Sequence, residues 1–374
     1  MIKTKKIKMK SEKNINVYLQ YPWKFPDSAY YEYLINNPPE KISYINKGQN
    51  AGVISRKSNF LLSNKIKASI RKSIRLINLP LLNVHKTKTK EKYNLIHCAH
   101  CLSLNSGPWV ADFEGVWQCS ISGRLTGQTK KSIRRILLKD NCKKIMPWNE
   151  TVKKEFLELF PEIKDKLEVV YPAVPIQHFK KKKNKKLRIL YVARYFWIKG
   201  GLVALEAMKK LKEKYSLDID FISDAPKEIR ERYPGINCMD LMPPKEVIEY
   251  YKKADVFLYP SMVDTFGIAL LEAMSFGLSI VTLNTKMTKT RHEIIQNRKN
   301  GLILNLNFMP NFYKIGERES KIIDQLVKNV SLLIENSTLR KKMSKNCIEE
   351  IKNGKFSMKE RNKKLKKIYE EAIK

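Results

Sequence analysis

Two stretches in which strand-like and helix-like patterns alternate, separated by a segment rich in proline and lysine, place the strongest limit on how this chain can fold. Short, continuously apolar runs are typical of strands buried in a parallel sheet, and segments of helical periodicity lie between them. This alternation predicts an α/β protein with two doubly wound, Rossmann-like domains that face a central cleft. The expected strands lie at 15–19, 41–45, 93–97, 108–113 and 143–146 in the first half, and at 187–193, 219–222, 238–241, 256–259 and 279–283 in the second.

Residues 179–186 separate the two halves. The segment before them contains Pro172 and Pro175, and the run KKKKNKK that ends at Lys186 is a solvated stretch that few contacts can cross. We therefore predict domains at 1–178 and 187–355, joined by this linker. A flexible connector is favoured over a nucleic-acid patch for the lysine run.

The charge of the chain requires an anionic partner. Among the 374 residues, 73 are Lys or Arg and 37 are Asp or Glu, which gives a net charge of +36. Nucleic acid, anionic lipid headgroups and phosphate-bearing substrates are the candidates. Zinc-finger, RNA-binding aromatic and Arg-rich recognition patterns are absent from the sequence, so no specific nucleic acid is expected. Because no apolar run approaches the roughly 18 residues of a membrane helix, we predict a cytoplasmic protein.

The six cysteines do not form a recognisable metal or disulfide pattern. The stretch HCAHC at 97–101 is the nearest candidate for zinc, but no second C-x-x-C motif accompanies it. Buried or loop thiols are therefore the favoured interpretation.

The densest group of chemically informative residues is the stretch ADVFLYPSMVDTFGIALLEAM at 254–274. A buried strand ends at Ser261, and a helix begins near Gly267. A helix N-terminus at the edge of a sheet offers unpaired N–H groups and a partial positive charge, both of which suit a phosphate. Asp264 in the loop and Glu272 in the helix are eight positions apart, so two acids can address two ends of one elongated ligand.

Two cations follow the first strand of the second half. Arg194 comes directly after the strand, and Lys199 precedes Gly200 and Gly201, where a helix begins. Both side chains leave the carboxyl end of a strand, where a substrate diphosphate can bind. Arg can hold phosphate oxygens bidentately, and Lys adds a point charge.

With these residues in view, the chain resembles the retaining, two-domain GT-B glycosyltransferases of family 4, also called glycosyltransferase group 1. The resemblance is carried by VARYFWIKGG, ADVFLYPS and DTFGIALLEAM, supported by RHEII ahead of NGLI, and it extends from about residue 143 to the end. It implies an enzyme that transfers a sugar from a nucleotide-sugar donor to a hydroxyl acceptor on a glycolipid, polysaccharide or other glycoconjugate. It also implies that residues 1–178 bind the acceptor, that residues 187–355 bind the donor, and that a helix within 356–374 crosses back to the first domain.

The resemblance assigns roles to individual residues. Arg194 and Lys199 match the pair that holds the nucleotide diphosphate and stabilises the charge of the departing group. Glu272 matches the acid that binds the ribose, and the backbone at Thr265, Phe266 and Gly267 approaches sugar and phosphate. Asp264 matches the acid that contacts the donor sugar, although a Glu is usual there. The expected site is catalytic at Arg194, Lys199 and Asp264 and needs neither cofactor nor metal, so DID at 218–220 is read as structural.

The acceptor side is defined less sharply. The candidates lie at or just after the ends of the third and fourth expected strands: His97, His100, Asp112 and Glu114. For His97, a packed or hydrogen-bonded histidine is an equal alternative. Glu114 stands near a position where relatives have a histidine, and it can either bind the acceptor hydroxyl or simply cap a helix or pair with a lysine.

Residues 58–78 have the pattern of a basic amphipathic helix. Apolar residues recur at helical spacing from Leu61 to Ile74, and cations fall mostly elsewhere around the helix. Such a helix fits an anionic membrane surface, because each cation near that surface contributes about 1 kcal/mol. Relatives often use lipid-linked acceptors, so a peripheral position on the inner face of the cell membrane is one prediction. A surface helix packed on its own sheet is the alternative. A nucleic-acid-binding protein and a non-catalytic homologue that only binds sugar nucleotides are the rival functions.

Overall fold

The computed structural model describes residues 14–21, 30–47, 57–76, 80–179, 181, 185–288 and 290–374. Within these ranges the chain forms two parallel sheets, one in each half, and helices cover them. The predicted α/β class with two Rossmann-like domains is confirmed. The last two residues of the segment 58–78 and most of the lysine run lie outside the described residues.

The N-terminal domain contains a parallel sheet and, beside it, a short pair of parallel strands. Its elements in chain order are β1 (Ile15–Gln20), α1 (Tyr30–Asn36), β2 (Ile42–Tyr44), α2 (Lys57–Leu76), β3 (Val84–His85), β4 (Leu95–Ala99), β5 (Leu102–Ser103), β6 (Trp109–Phe113), α3 (Gly127–Leu137), β7 (Cys142–Pro147) and α4 (Glu150–Leu159), with 3-10 turns at Val116–Cys119 and Pro161–Lys166. The strand order is β2-β1-β4-β6-β7, and β3 pairs with β5.

Burial distinguishes the central strands β4 and β6 of this sheet from β1. Every residue of β4 and β6 is buried, as expected for central strands covered on both faces. In β1 buried and partly buried residues alternate. The register pairs Val17 with Leu95 and Ile96 with Trp109, so β1, β4 and β6 end at one edge of the sheet.

The C-terminal domain has the second parallel sheet. Its elements are β8 (Leu187–Ala193), α5 (Gly201–Lys214), β9 (Leu217–Ser223), α6 (Lys227–Arg230), β10 (Asn237–Met239), α7 (Pro244–Lys253), β11 (Val256–Tyr259), α8 (Ile268–Ser275), β12 (Ser279–Asn284), α9 (Arg291–Ile294), β13 (Gly301–Asn305), α10 (Glu317–Glu335), α11 (Ser337–Lys352) and α12 (Met358–Ala372). The strand order is β10-β9-β8-β11-β12-β13. From β8 the chain adds strands on one side of the sheet, and from β11 it adds them on the other side. Ligands of such parallel sheets bind at the carboxyl ends of the strands beside this switch point.

The final helix, α12, packs against the N-terminal domain. The Tyr369 hydroxyl lies 3.0 Å from that of Tyr44 and 2.7 Å from Nδ1 of His97. Arg361, which is 1% exposed, donates to the carbonyl of Asn37 at 2.6 Å. These contacts tie the end of the chain to the first sheet and limit how far the two domains can separate.

Several features differ from the sequence-based expectations, among them β13, which is absent from the expected strands. Helix α3 and the β3–β5 pair were not predicted, because their apolar runs are too short to stand out. The lysine run is not wholly solvated, since the Nζ of Lys181 lies 2.9 Å from Oδ1 of Asp255. At least one residue of the expected linker is therefore held against the C-terminal domain.

Candidate active site

A cavity of about 820 Å³ lies between the carboxyl ends of the two sheets. Its size is in the usual range of small-ligand sites, and both domains contribute polar side chains to it. The N-terminal domain contributes Tyr31, Tyr33, Lys67, Arg71, His100 and Glu114, and the C-terminal domain contributes Arg194, Lys199, Asp264, Thr265, Phe266, Gly267 and Glu272.

Gly200 allows the loop that carries Lys199 to approach the end of strand β11 closely. Gly200 has a φ of +70°, and a Cβ there would lie 2.1 Å from the carbonyl oxygen of Pro260. Only glycine fits this left-handed, crowded position. The close approach lets Nζ of Lys199 donate to the carbonyl of Val263 at 2.9 Å and pair with Oδ1 of Asp264 at 3.0 Å.

Asp264 is held by three side chains. Besides Lys199, the Tyr259 hydroxyl donates to its Oδ2 at 3.0 Å, and Nη2 of Arg291 lies 3.4 Å from the same atom. Burial acts to raise the pKa of Asp264, but Lys199 and Arg291 outweigh it, so the pKa lies below its usual value. Asp264 is therefore an ionised carboxylate that fixes Lys199, and its side chain is 8% exposed.

The loop after Asp264 leads into helix α8. Gly267 has a φ of +108°, and a Cβ there would lie 2.8 Å from Nη1 of Arg291. Its left-handed conformation turns the chain into the N-terminus of α8 at the cavity wall, where free N–H groups favour an anion. The hydroxyl of Thr265 donates to Oε2 of Glu114, which joins this loop to the N-terminal domain.

Glu272 lies one turn into α8. Its Oε1 accepts a hydrogen bond of 2.8 Å from the hydroxyl of Tyr33, a residue of the N-terminal domain. Burial raises the pKa of Glu272 above its usual value, although the Tyr33 hydrogen bond and the charge of Arg194 act in the opposite direction. The carboxylate, the Arg194 side chain and Tyr33 line one part of the cavity.

The four acceptor-side candidates divide into two pairs. His100 and Glu114 line the cavity, with Nε2 of His100 3.6 Å from Oε1 of Glu114. His97 and Asp112 are buried beneath it and do not line it. Direct acceptor contact by His97 and Asp112 does not fit this placement, because α12 and the aromatic side chains cover them.

Asp112 is the centre of a buried hydrogen-bond network. It accepts from the Tyr31 hydroxyl at 2.6 Å and from Nε1 of Trp148 at 3.3 Å, and Nε2 of His97 lies 3.5 Å away. Burial acts to raise its pKa, but His97 and His100 outweigh that effect and hold the pKa below its usual value. The network fixes the floor of the cavity.

The metal-like motifs of the sequence have structural roles. Arg188 pairs with Asp218 at 2.8 Å and with Asp220 at 2.9 Å, so both acids of DID are engaged by one arginine. Cys98 and Cys101 are buried free thiols. Across the described ranges, no three His, Cys, Asp or Glu side chains are grouped to hold a metal ion.

Sequence reasoning missed three residues of this site. Tyr33 carries no motif and reaches Glu272 only through the tertiary fold. Arg291 was recognised as part of a family motif without a role at the site, and Tyr259 only as the end of a strand; both hold Asp264. The motif RHEII, in which Arg291 stands among polar neighbours, was the one available signal.

Comparison with known proteins finds a family model that matches part of the C-terminal domain. Residues 186–312 match the family model described as Glycosyl transferases group 1. An uncharacterized glycosyltransferase of Haemophilus influenzae is 23% identical over 221 residues, which is 57% of this chain and 58% of that protein. The chain thus spans somewhat under two thirds of the length of this relative.

Two further similarities concern a named enzyme and a solved structure. The UDP-Gal:alpha-D-GlcNAc-diphosphoundecaprenol alpha-1,3-galactosyltransferase of Escherichia coli is 30% identical over 122 residues, which is 33% of this chain and 27% of that protein. The crystal structure of a glycosyltransferase from Rickettsia africae superposes with a TM-score of 0.61 at 18% identity, covering 97% of this chain and 99% of that one. The structural match extends the similarity of fold to both domains.

Proposed function

Because residues 186–312 match the model of the group 1 glycosyltransferases and the chain has the GT-B fold, we propose that it transfers a glycosyl unit from a nucleotide sugar to a hydroxyl acceptor with retention at the anomeric carbon. One observation carries the proposal. Arg194, Lys199 and Glu272 line the same cavity, although they come from separate segments, and α8 begins at its wall. The similar enzyme from E. coli is named for a UDP-sugar donor.

The bond that breaks joins the anomeric carbon to the diphosphate, and negative charge grows on the diphosphate as it departs. We assign Arg194, Lys199 and the N-terminus of α8 to stabilise that charge. Losing one such preorganised contact typically costs roughly 3 to 4 kcal/mol of transition-state stabilisation. Because these groups neutralise the leaving group, the proposed reaction needs no metal ion.

Asp264 acts in this proposal through Lys199. Its carboxylate is committed to Lys199, Arg291 and Tyr259 and is nearly buried, so its main role is to orient the catalytic lysine. The backbone at 265–267 contacts the sugar and phosphate of the donor, and Glu272 binds the ribose. The acceptor enters on the side of His100 and Glu114. Its hydroxyl attacks the face that the diphosphate leaves, and its proton passes to the departing diphosphate oxygen.

A panel of nucleotide sugars and nucleoside diphosphates tests the donor assignment. A true donor at 100 times its dissociation constant stabilises the folded chain by about 2.7 kcal/mol, which thermal unfolding detects. We expect Arg194→Ala to lower turnover and Glu272→Ala to weaken donor binding. Arg230→Ala is the matched control, because Arg230 pairs with Asp240 outside the cavity. Wild-type kinetics in both cavity variants would contradict the assignment.

We further propose that α2 docks on an anionic membrane and that the acceptor is lipid-linked. The helix exposes Leu61, Leu62, Ile66 and Ile70, which are 41–59% accessible, beside exposed lysines. The helix also contacts the C-terminal domain, since Oδ1 of Asn64 accepts a hydrogen bond of 3.2 Å from the Tyr195 hydroxyl. The acceptor of the E. coli enzyme carries an undecaprenol chain by name, which suits such a surface. No helix in the described ranges has the length and apolarity to span a bilayer.

Co-sedimentation with vesicles tests this docking. We expect the chain to bind vesicles that contain phosphatidylglycerol, to bind neutral phosphatidylcholine vesicles weakly, and to lose binding in Ile66→Glu. Ile348→Glu on α11 is the control, because Ile348 is also exposed on a helix. Equal binding by both variants would mean that α2 is an ordinary surface helix.

A further inference from the structure

We propose that Tyr33, from the N-terminal domain, is a positioning residue of the nucleotide subsite in the C-terminal domain. Its hydroxyl fixes the Glu272 carboxylate for the two ribose hydroxyls of the donor, so the subsite is complete only when the domains are closed. This inference rests on the proposed function, which makes Glu272 the ribose-binding acid.

The contact joins two residues 239 positions apart in the chain. Tyr33 lies on α1 and Glu272 on α8, and the Tyr33 hydroxyl donates to Oε1 of Glu272 at 2.8 Å. Both side chains line the cavity. Burial and the neighbouring carboxylate raise the pKa of Tyr33, so its phenol remains protonated and acts as the donor.

The position of Tyr33 is determined by the buried face of α1. Its neighbours Tyr30 and Tyr31 are each 1% exposed, and Tyr31 is hydrogen-bonded to the buried Asp112 at 2.6 Å. The ring of Tyr30 packs edge-on against Trp148, with 4.7 Å between ring centroids. A helix anchored by these buried contacts therefore presents Tyr33 to Glu272, and the Glu272 carboxylate accepts the hydrogen bond in the orientation that the structure shows.

The hydrogen bond leaves Glu272 able to bind a ligand. An ionised carboxylate has about four lone-pair sites, and Tyr33 occupies one of them. Two vicinal hydroxyls can still be accepted, one by each carboxylate oxygen. Without Tyr33, the Glu272 side chain is free to adopt more rotamers. Ordering it on binding then costs entropy, which lowers the affinity for the ligand.

The alternative role for Tyr33 is a latch that only holds the domains together. A latch affects every ligand of the closed cavity equally. A positioning residue acts on ribose recognition, so its loss must reduce the preference for a ribonucleotide over the matching 2′-deoxyribonucleotide. The ratio of the two affinities separates these roles, whereas either affinity alone does not.

Calorimetric titration with UDP, GDP and ADP, and with their 2′-deoxy forms, tests the inference on the full chain. For the nucleotide that wild type binds best, we expect Tyr33→Phe to weaken the ribonucleotide roughly 10-fold or more and the deoxy form by much less. Tyr233→Phe is the control. The Tyr233 hydroxyl also donates to a glutamate, Glu206, at 2.6 Å, but neither residue lines the cavity. We expect this control to bind like wild type.

Each other outcome overturns a defined statement. Suppose that Glu272→Gln weakens nucleotide binding, as the proposed function requires. The positioning role is then overturned if Tyr33→Phe binds like wild type, or if it loses equal affinity for the ribonucleotide and the deoxy form. Unchanged binding by Glu272→Gln, or no nucleotide bound by wild type, overturns the proposed function and this inference with it.

Discussion

Replacing Asp264 by Asn tests whether this carboxylate acts through Lys199. At an effective dielectric constant of about 20, an ion pair at 3.0 Å has a Coulomb energy of about 5.5 kcal/mol, and the second pair with Arg291 is similar at 3.4 Å. Desolvation offsets part of this energy, and breaking a buried pair typically destabilises a protein by about 3 to 5 kcal/mol. We therefore expect Asp264→Asn to lower the free energy of unfolding by an amount in that range.

The effect on function has a distinctive sign. Lys199 loses the partner that fixes it, and displacing a catalytic group by about 1 Å can cost roughly 100-fold in turnover. The diphosphate, in contrast, meets a more positive cavity, so nucleoside diphosphate binding should stay the same or tighten by about 1 kcal/mol, roughly fivefold. A fall in kcat without a loss of nucleotide affinity is the expected result.

Asp220→Asn is the matched control for this experiment. Asp220 is also buried in the C-terminal domain and pairs with an arginine, Arg188, at 2.9 Å, but it lies outside the cavity. Urea unfolding, steady-state kinetics with the donor found in the panel, and calorimetry should be compared for both variants. The reasoning is refuted if Asp264→Asn keeps its turnover, or if both variants lose turnover equally.

Two further predictions concern stability. The pKa of Asp112 is lowered in the folded chain, so its contribution to the free energy of unfolding is complete above the unfolded pKa of about 3.9 and is lost as the pH falls through the folded pKa. The difference in urea midpoint between wild type and Asp112→Asn should therefore shrink between pH 6 and pH 3. A constant difference would contradict this prediction. Glu293 accepts hydrogen bonds from the N–H groups of Glu150 and Thr151 at the start of α4 and from the Tyr171 hydroxyl. Glu293→Gln should lower the free energy of unfolding, measured in urea, by about 1 to 2 kcal/mol. An unchanged urea midpoint would show that this contact between the domains contributes nothing to stability.

The sequence predicted the fold well where its signals are local. The strands at 187–193 and 256–259 agree with the structure to the residue, because a continuous apolar run between turn residues is itself the cause of a buried parallel strand. The helix that begins after Gly200 is confirmed for the same reason. Once these strands are parallel, the residues that follow them must lie at one edge of the sheet, which is why Arg194 and Asp264 line one cavity.

The acceptor side was predicted less well because its residues depend on packing. His97 and Glu114 each follow or end a strand, and sequence alone cannot decide which of them faces the cavity. The structure buries His97 under Tyr369 of the last helix and leaves Glu114 at the cavity wall, in contact with Thr265. Helix α3 was missed because its apolar residues are few among many cations.

The sequence by itself determined two parallel sheets, their order along the chain and the cations and acids at their carboxyl ends, because each of these follows from neighbouring residues. Only the tertiary structure decided how these groups are coupled: Asp264 bound to Lys199 and Arg291, and Tyr33 brought to Glu272. Such contacts join distant segments, and they form only after the domains have packed, since no local propensity encodes them.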